Sequence, residues 1–194
     1  GCIKFAMLTG VTKFGKVSVF SDLNNLKDIS LDNRYYNLCG IDEGELHGVF
    51  EPYVQCLADS QNITLDKAYS ELKRNYDGYH FSKNMVGMYN PFSLLNAFDS
   101  LEIGSYWFET GTPSYLVELL KRHDFKLDEL KGNKVTANVL SAIDASSSDP
   151  IPVIFQSGYL TISGYNERYK LYSLDFPNEE VREGFMLYLM PYYT

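Results

Sequence analysis

The chain has 194 residues, 45% of them hydrophobic and 22% charged, which is enough for one large core or two small ones. With 16 Tyr and 12 Phe it carries far more buryable aromatic surface than a disordered chain. The formal net charge of −8, with Lys and Arg scattered rather than clustered, disfavours non-specific binding to nucleic acid or anionic membranes.

Cys2, Cys39 and Cys56 have neither CxxC spacing nor a His close by in sequence. They read as reduced thiols of a cytoplasmic protein rather than as a disulfide framework or a zinc site. No apolar run reaches the length of a membrane span, and no signal peptide is evident. Gly1-Cys2 leads almost directly into a core-like run, and the helical Phe185 to Met190 is followed within a few residues by Thr194. Both ends read as cuts in a longer protein.

The first element is expected over Ile3 to Gly10, a buried strand. Gly10-Val11-Thr12-Lys13-Phe14-Gly15-Lys16-Val17 follows with the glycine and lysine spacing of a phosphate-binding loop. Such a loop needs a Ser or Thr after the lysine to hold magnesium, and close backbone approach to the phosphates. Val17 takes the hydroxyl position and Phe14 puts a ring beside the glycine, so the loop lacks its metal ligand. Ser21 to Asp32 has turn chemistry.

From Asp42 the pattern is helical, with Leu46, Val49, Phe50, Tyr53, Val54 and Leu57 expected on one face and a break near Glu51 imposed by Pro52. Thr64 caps a further helix that carries Leu65, Ala68, Tyr69 and Leu72 and stops at Asn75-Tyr76-Asp77-Gly78. Asn90-Pro91 opens a short helix with Phe92, Leu95 and Phe98 on one side, and Thr112-Pro113 repeats the device. A boundary is expected within Asn138 to Pro150, where Ala145 to Pro150 reads as a linker. Ile151 to Gln156 forms a short helix stopped by Ser157-Gly158. A hairpin follows, with Gly164 to Glu167 as its turn and Arg168 to Leu174 as its second strand. Asn178 caps a last helix with Glu179 and Glu180 in its first turn. Helix, hairpin, helix is the order of a winged-helix core. The fold class is therefore mainly α with a small β component, α+β.

Several phrases in this order resemble the AAA-ATPase-like family of bacterial proteins, large in gut Bacteroidetes, in which an ATPase module is often followed by a PD-(D/E)XK nuclease-like domain. They are Leu8 to Phe14, Phe20 to Ile29, Tyr76-Asp77-Gly78-Tyr79-His80-Phe81, Tyr89 to Ser93, Tyr106 to Pro113, Phe155 to Ile162 and Phe176 to Arg182. The resemblance covers nearly the whole chain. It implies that the phosphate loop and the acidic magnesium motif lie upstream, so that this chain lacks the P-loop half of a P-loop NTPase. It further implies three parts: residues 1–40 as the terminal strand and sensor-side loops of the ATPase core, 41–145 as a helical lid, and 146–194 as a winged-helix-like domain. On this reading Thr9, at the strand end, senses the terminal phosphate of the nucleotide, and Lys13 and Lys16 are the further nucleotide-sensing residues. No cofactor is expected in this chain itself; ATP and magnesium are implied for the longer protein. The implied partners are the upstream P-loop half, a downstream nuclease-like domain where one follows, and further copies in a homo-oligomer.

His80 has no Ser, Cys or metal-ligand partner in sequence, so its motif reads as packing or turn structure. Tyr106-Trp107-Phe108 reads as core at the start of a lid helix. Asp66 with Glu71-Leu72-Lys73 supplies the residue types of a metal-dependent nuclease, but on a helix, where that chemistry requires a strand. The element before the wing, Asp149 to Gly158, contains no Lys or Arg, which disfavours DNA binding. The leading expectation is a lid and winged-helix portion that couples nucleotide state to domain movement and is inactive alone. The alternative is a protein-interaction module without a nucleotide role.

Overall fold

Helices begin where short polar side chains take up the free backbone N–H groups of a first turn. The computed structural model describes residues 4–7, 9–10, 27–110, 118, 120, 132–141 and 149–193. In helix α1 (Glu43–Gly48), Asp42 accepts from the Glu45 N–H while the Glu45 carboxylate accepts from the Asp42 N–H, a reciprocal cap. Helix α2 (Glu51–Gln61) starts afresh with Pro52 in its first turn, so proline opens a second helix rather than kinking one. Thr64 Oγ1 accepts from the Lys67 N–H to start α3 (Leu65–Tyr76). Asn90 Oδ1 accepts from Phe92 and Ser93 to start α4 (Pro91–Ser100).

These four helices bury one apolar cluster, with Leu46, Val54, Leu57, Ala68, Leu72 and Leu94 at its centre. Two expected faces are corrected. Val49 and Tyr53 point outward, because the break before α2 resets the helical phase and only Leu46, Val54 and Leu57 of that series are buried. In α4 the buried stripe is Leu94, Ala97 and Phe98, whereas Phe92 and Leu95 are exposed.

A short helix α5 (Trp107–Thr110) precedes a second cluster. Strand β1 (Lys134–Val135), α6 (Ala137–Ser141), α7 (Ile151–Gln156), β2 (Thr161–Asn166), β3 (Leu171–Asp175) and α8 (Glu179–Tyr193) complete the described chain. The sheet is antiparallel in the order β1-β3-β2, with Lys134 opposite Ser173 and Tyr165 opposite Tyr172. Leu140, Ile154, Ile162, Leu174, Val181 and Phe185 bury this second core. The fold is thus mainly helical with a small three-stranded sheet, α+β. The helix-hairpin-helix order is present, and β1 adds a strand drawn from the segment assigned by sequence to the lid.

The hairpin turn lies later than its sequence suggests. Gly164 to Asn166 continue β2 past a register shift between Ile162 and Gly164, and the turn is Glu167 to Lys170. Asn166 Oδ1 fixes it by accepting from the Arg168 and Tyr169 N–H groups. The expected strand Ile3 to Gly10 is also corrected. Its described residues, 4–7 and 9–10, are exposed and in no strand: an extended run becomes a strand only by pairing, and the sheet β1-β3-β2 does not include it. Thr112-Pro113 and the linker Ala145 to Ser148 lie outside the described residues. Among the described residues no helix is long and apolar enough to cross a membrane.

Candidate functional site

The two clusters meet at the motif Tyr76 to Phe81. Tyr76 belongs to the helical core and Tyr79 to the winged-helix core. The backbone between them turns sharply at Gly78, whose φ is +104°, and a Cβ there would stand 2.1 Å from the Pro177 carbonyl oxygen. Only glycine serves at such a position. Tyr79 exchanges backbone hydrogen bonds with Met88, and its hydroxyl donates to the Gly158 carbonyl at 3.2 Å. The His80 N–H donates to Thr161 Oγ1 at 2.7 Å, and His80 Nδ1 lies 2.8 Å from the Ile162 carbonyl. Nδ1 therefore carries the ring proton in the neutral side chain. His80 stitches the motif to β2, as the packing reading of the sequence holds.

Behind this motif lies Glu180, only 3% exposed although it stands in the first turn of α8. Its Oε1 accepts from the backbone N–H groups of Tyr106 at 2.7 Å and Trp107 at 2.9 Å. These are orphan donors at the start of α5, so a side chain of α8 caps the helix that lies between the two cores. Burial pushes the Glu180 carboxyl above its usual range, while the two N–H groups and the Ser93 hydroxyl act against that shift. Glu180 Oε2 and Ser93 Oγ are both buried without a hydrogen-bond partner. Ser93 thus stands close enough to influence the carboxyl, yet outside hydrogen-bond geometry. Burial likewise raises the Tyr76 and Tyr79 phenols, and the Glu180 charge adds to both shifts.

Aromatic packing surrounds the carboxyl. The Trp107 ring meets Tyr159 edge-on at 4.8 Å, and Tyr159 packs on Phe185 at 5.4 Å. Burial pushes the Tyr159 phenol up to about 12. Phe108 lies flat against Gly184, where a Cβ would come 2.3 Å from its ring. This is a joint: α3 and α4 on one side and α7, α8 and β2 on the other meet at α5, whose Tyr106 start packs on the first core and whose Trp107 and Phe108 pack on the second. Tyr106, Trp107 and Phe108, expected as core, are half-buried and pack against the two cores from their edges.

Of the sequence-predicted site residues, one is described. Thr9 is exposed and lies in no strand, and Lys13 and Lys16 lie outside the described residues. Among the described residues no three His, Cys, Asp or Glu side chains gather as metal ligands. Glu71 and Lys73 stand on helix α3 and are engaged in ion pairs, Glu71 with Lys67 and Arg74 and Lys73 with Glu43. In α7, the element before the wing, Ile151, Pro152 and Ile154 are buried and Val153, Phe155 and Gln156 half-buried.

Sequence reasoning missed the role of Glu180. It reads as an ordinary first-turn acid, because its partners stand 74 and 73 residues away. The only usable signal was a second carboxyl beside Glu179, one residue ahead of the apolar Val181.

No family model matches the chain, and no solved structure matches it. Over 198 aligned residues it is 40% identical to a protein of Azotobacter chroococcum mcd 1 described as "Uncharacterized protein in vnfD 5'region". That alignment covers 97% of this chain and 36% of that protein, so the chain spans about a third of this relative's length.

Proposed function

We propose that this chain is the lid and winged-helix portion of an AAA-type ATPase, a P-loop NTPase, which couples nucleotide state to domain movement and does not catalyse alone. The observation that supports this reading is the joint at Glu180. A helical layer and a winged-helix-like unit, each with its own core, are held by one buried carboxyl and a ring of aromatics. Two packed bodies with a small shared contact are the architecture through which closure over a ligand is passed on as rotation.

In this reading ATP and magnesium are held by the P-loop half of the parent protein, and the described residues supply no magnesium ligands. Thr9, Lys13 and Lys16 are the proposed sensing residues on this chain. The exposed free thiols of Cys39 and Cys56 suit a reducing compartment, which supports a cytoplasmic location.

The test is isothermal titration of Mg-ATP into this chain and into its Lys16→Ala variant, beside ATP turnover of the parent protein. The expected results are no binding to the chain alone and magnesium-dependent turnover in the parent. Binding that is lost in Lys16→Ala would instead make Gly10 to Lys16 a phosphate site. A parent protein without turnover would overturn the ATPase reading.

A further inference from the structure

We propose that the outer face of α2 and α4 is a docking site for a basic amphipathic helix of a partner protein. The inference is independent of any nucleotide cycle. It begins from the two corrected helix faces. Val49 is 65% exposed, Tyr53 55%, Leu95 48% and Phe92 43%. Phe92 and Leu95 are three residues apart and form a stripe along α4, whereas Tyr53 stands in α2 and Val49 lies before it, just past the end of α1.

The two sets adjoin. The Tyr53 ring lies 5.7 Å from Phe98, one turn beyond Leu95, and Phe50 stacks on Phe98 at 5.9 Å. At the C-terminal ends of the two helices, Gln61 donates to the Leu101 carbonyl beside a mostly polar concavity lined by Ser60, Gln61, Ser100, Leu101, Glu102 and Ile103. Exposed large apolar side chains gathered in one place mark an interaction surface, where the same residues scattered singly would not.

Charge identifies the occupant. Residues 41–61 contain no Lys or Arg, and residues 85–120 contain no Lys, Arg or His. The exposed charges around these side chains are Glu45, Glu51, Asp59, Asp99 and Glu102, all acidic. Asp99 sits one turn after Leu95, and Glu45 one turn before Val49. Among α1 to α4, Lys and Arg occur only on α3, where Lys67, Lys73 and Arg74 are taken up by Glu71 and Glu43.

A second copy of the chain would set this acidic rim against itself in a two-fold contact, and an anionic membrane would be repelled in the same way. A face built from two packed helices, with no strand edge, receives a helix rather than a strand. The complementary ligand therefore presents Leu-like side chains on one face and Lys or Arg along its margins.

The probe is a labelled 18-residue-class helix-forming peptide of Leu and Lys, with a Leu and Glu peptide of the same pattern as control. Fluorescence anisotropy follows their titration with the full chain. The Leu/Lys peptide should bind, and Leu95→Ser or Tyr53→Ser should weaken it about tenfold or more, as for a central contact. Asp99→Lys should weaken it and flatten its salt dependence. All three positions are exposed, and unchanged circular dichroism and melting would confirm that the variants remain folded. Equal binding of the Leu/Glu peptide, no binding of the Leu/Lys peptide, or binding indifferent to these variants would each overturn the proposal. Self-association of the chain that Leu95→Ser abolishes would also overturn it, in favour of a second copy.

Discussion

A carboxyl placed out of reach of water must draw its hydrogen bonds from the protein, and Glu180 draws two from α5. Removing it by Glu180→Ala strands two buried N–H groups, at about 1–3 kcal/mol each. Glu180→Gln keeps an acceptor for both and adds an amide donor facing Ser93. Urea unfolding should therefore rank wild type and Gln well above Ala. Because the folded carboxyl is raised from its ordinary value of 4.5, the native state holds this proton to higher pH than the unfolded chain does. Its favourable contribution is full below that ordinary value and fades as pH rises through the folded value. The stability of Glu180→Gln relative to wild type should accordingly rise across that window. A pH-independent difference would show that the carboxyl is not shifted. At Gly78, alanine meets both a positive φ and the Pro177 carbonyl, so Gly78→Ala should cost about 2–4 kcal/mol. A loss below about 0.5 kcal/mol would mean that the turn opens freely.

At the scale of elements, the starts were legible and the faces were not. Asp42, Thr64, Asn90 and Asn178 each cap the helix that their sequence context announces, because capping is local chemistry. Asn90→Ala should lower stability by about 1 kcal/mol, and a melting temperature equal to wild type would show that Pro91 alone starts α4. Which stripe of a helix is buried depends on what packs against it. In α4 the series Phe92, Leu95, Phe98 and the series Leu94, Ala97, Phe98 both satisfy helical spacing, and only the contact with α2 and α3 selects the second. The two-residue β1 is too short to have a period, and its pairing with β3 depends on residues about forty positions away. Gly184 likewise carries no local signal, since it is required by Phe108. Gly184→Ala should push α8 away from α5 and speed amide exchange at Tyr106 and Trp107. Unchanged protection there would argue against that packing.

For the whole molecule, the reading of an α+β chain with a helical layer and a winged-helix-like end rests on two cores joined at one place. The candidate site in the sequence, Thr9 with Lys13 and Lys16, was chosen by likeness to phosphate chemistry. The site built by the structure is instead a joint whose parts are scattered from Tyr76 to Glu180. No short motif could announce it, because a joint is defined by which surfaces meet. Trp107 sits in that joint with its ring on Tyr159 and its backbone N–H on Glu180, and the chain contains one tryptophan. The molecule thus carries its own lamp at the seam. Excitation at the red edge of the indole band, which passes over the tyrosines, would let any rotation of one half against the other be watched as a change in colour or quenching, without attaching a dye.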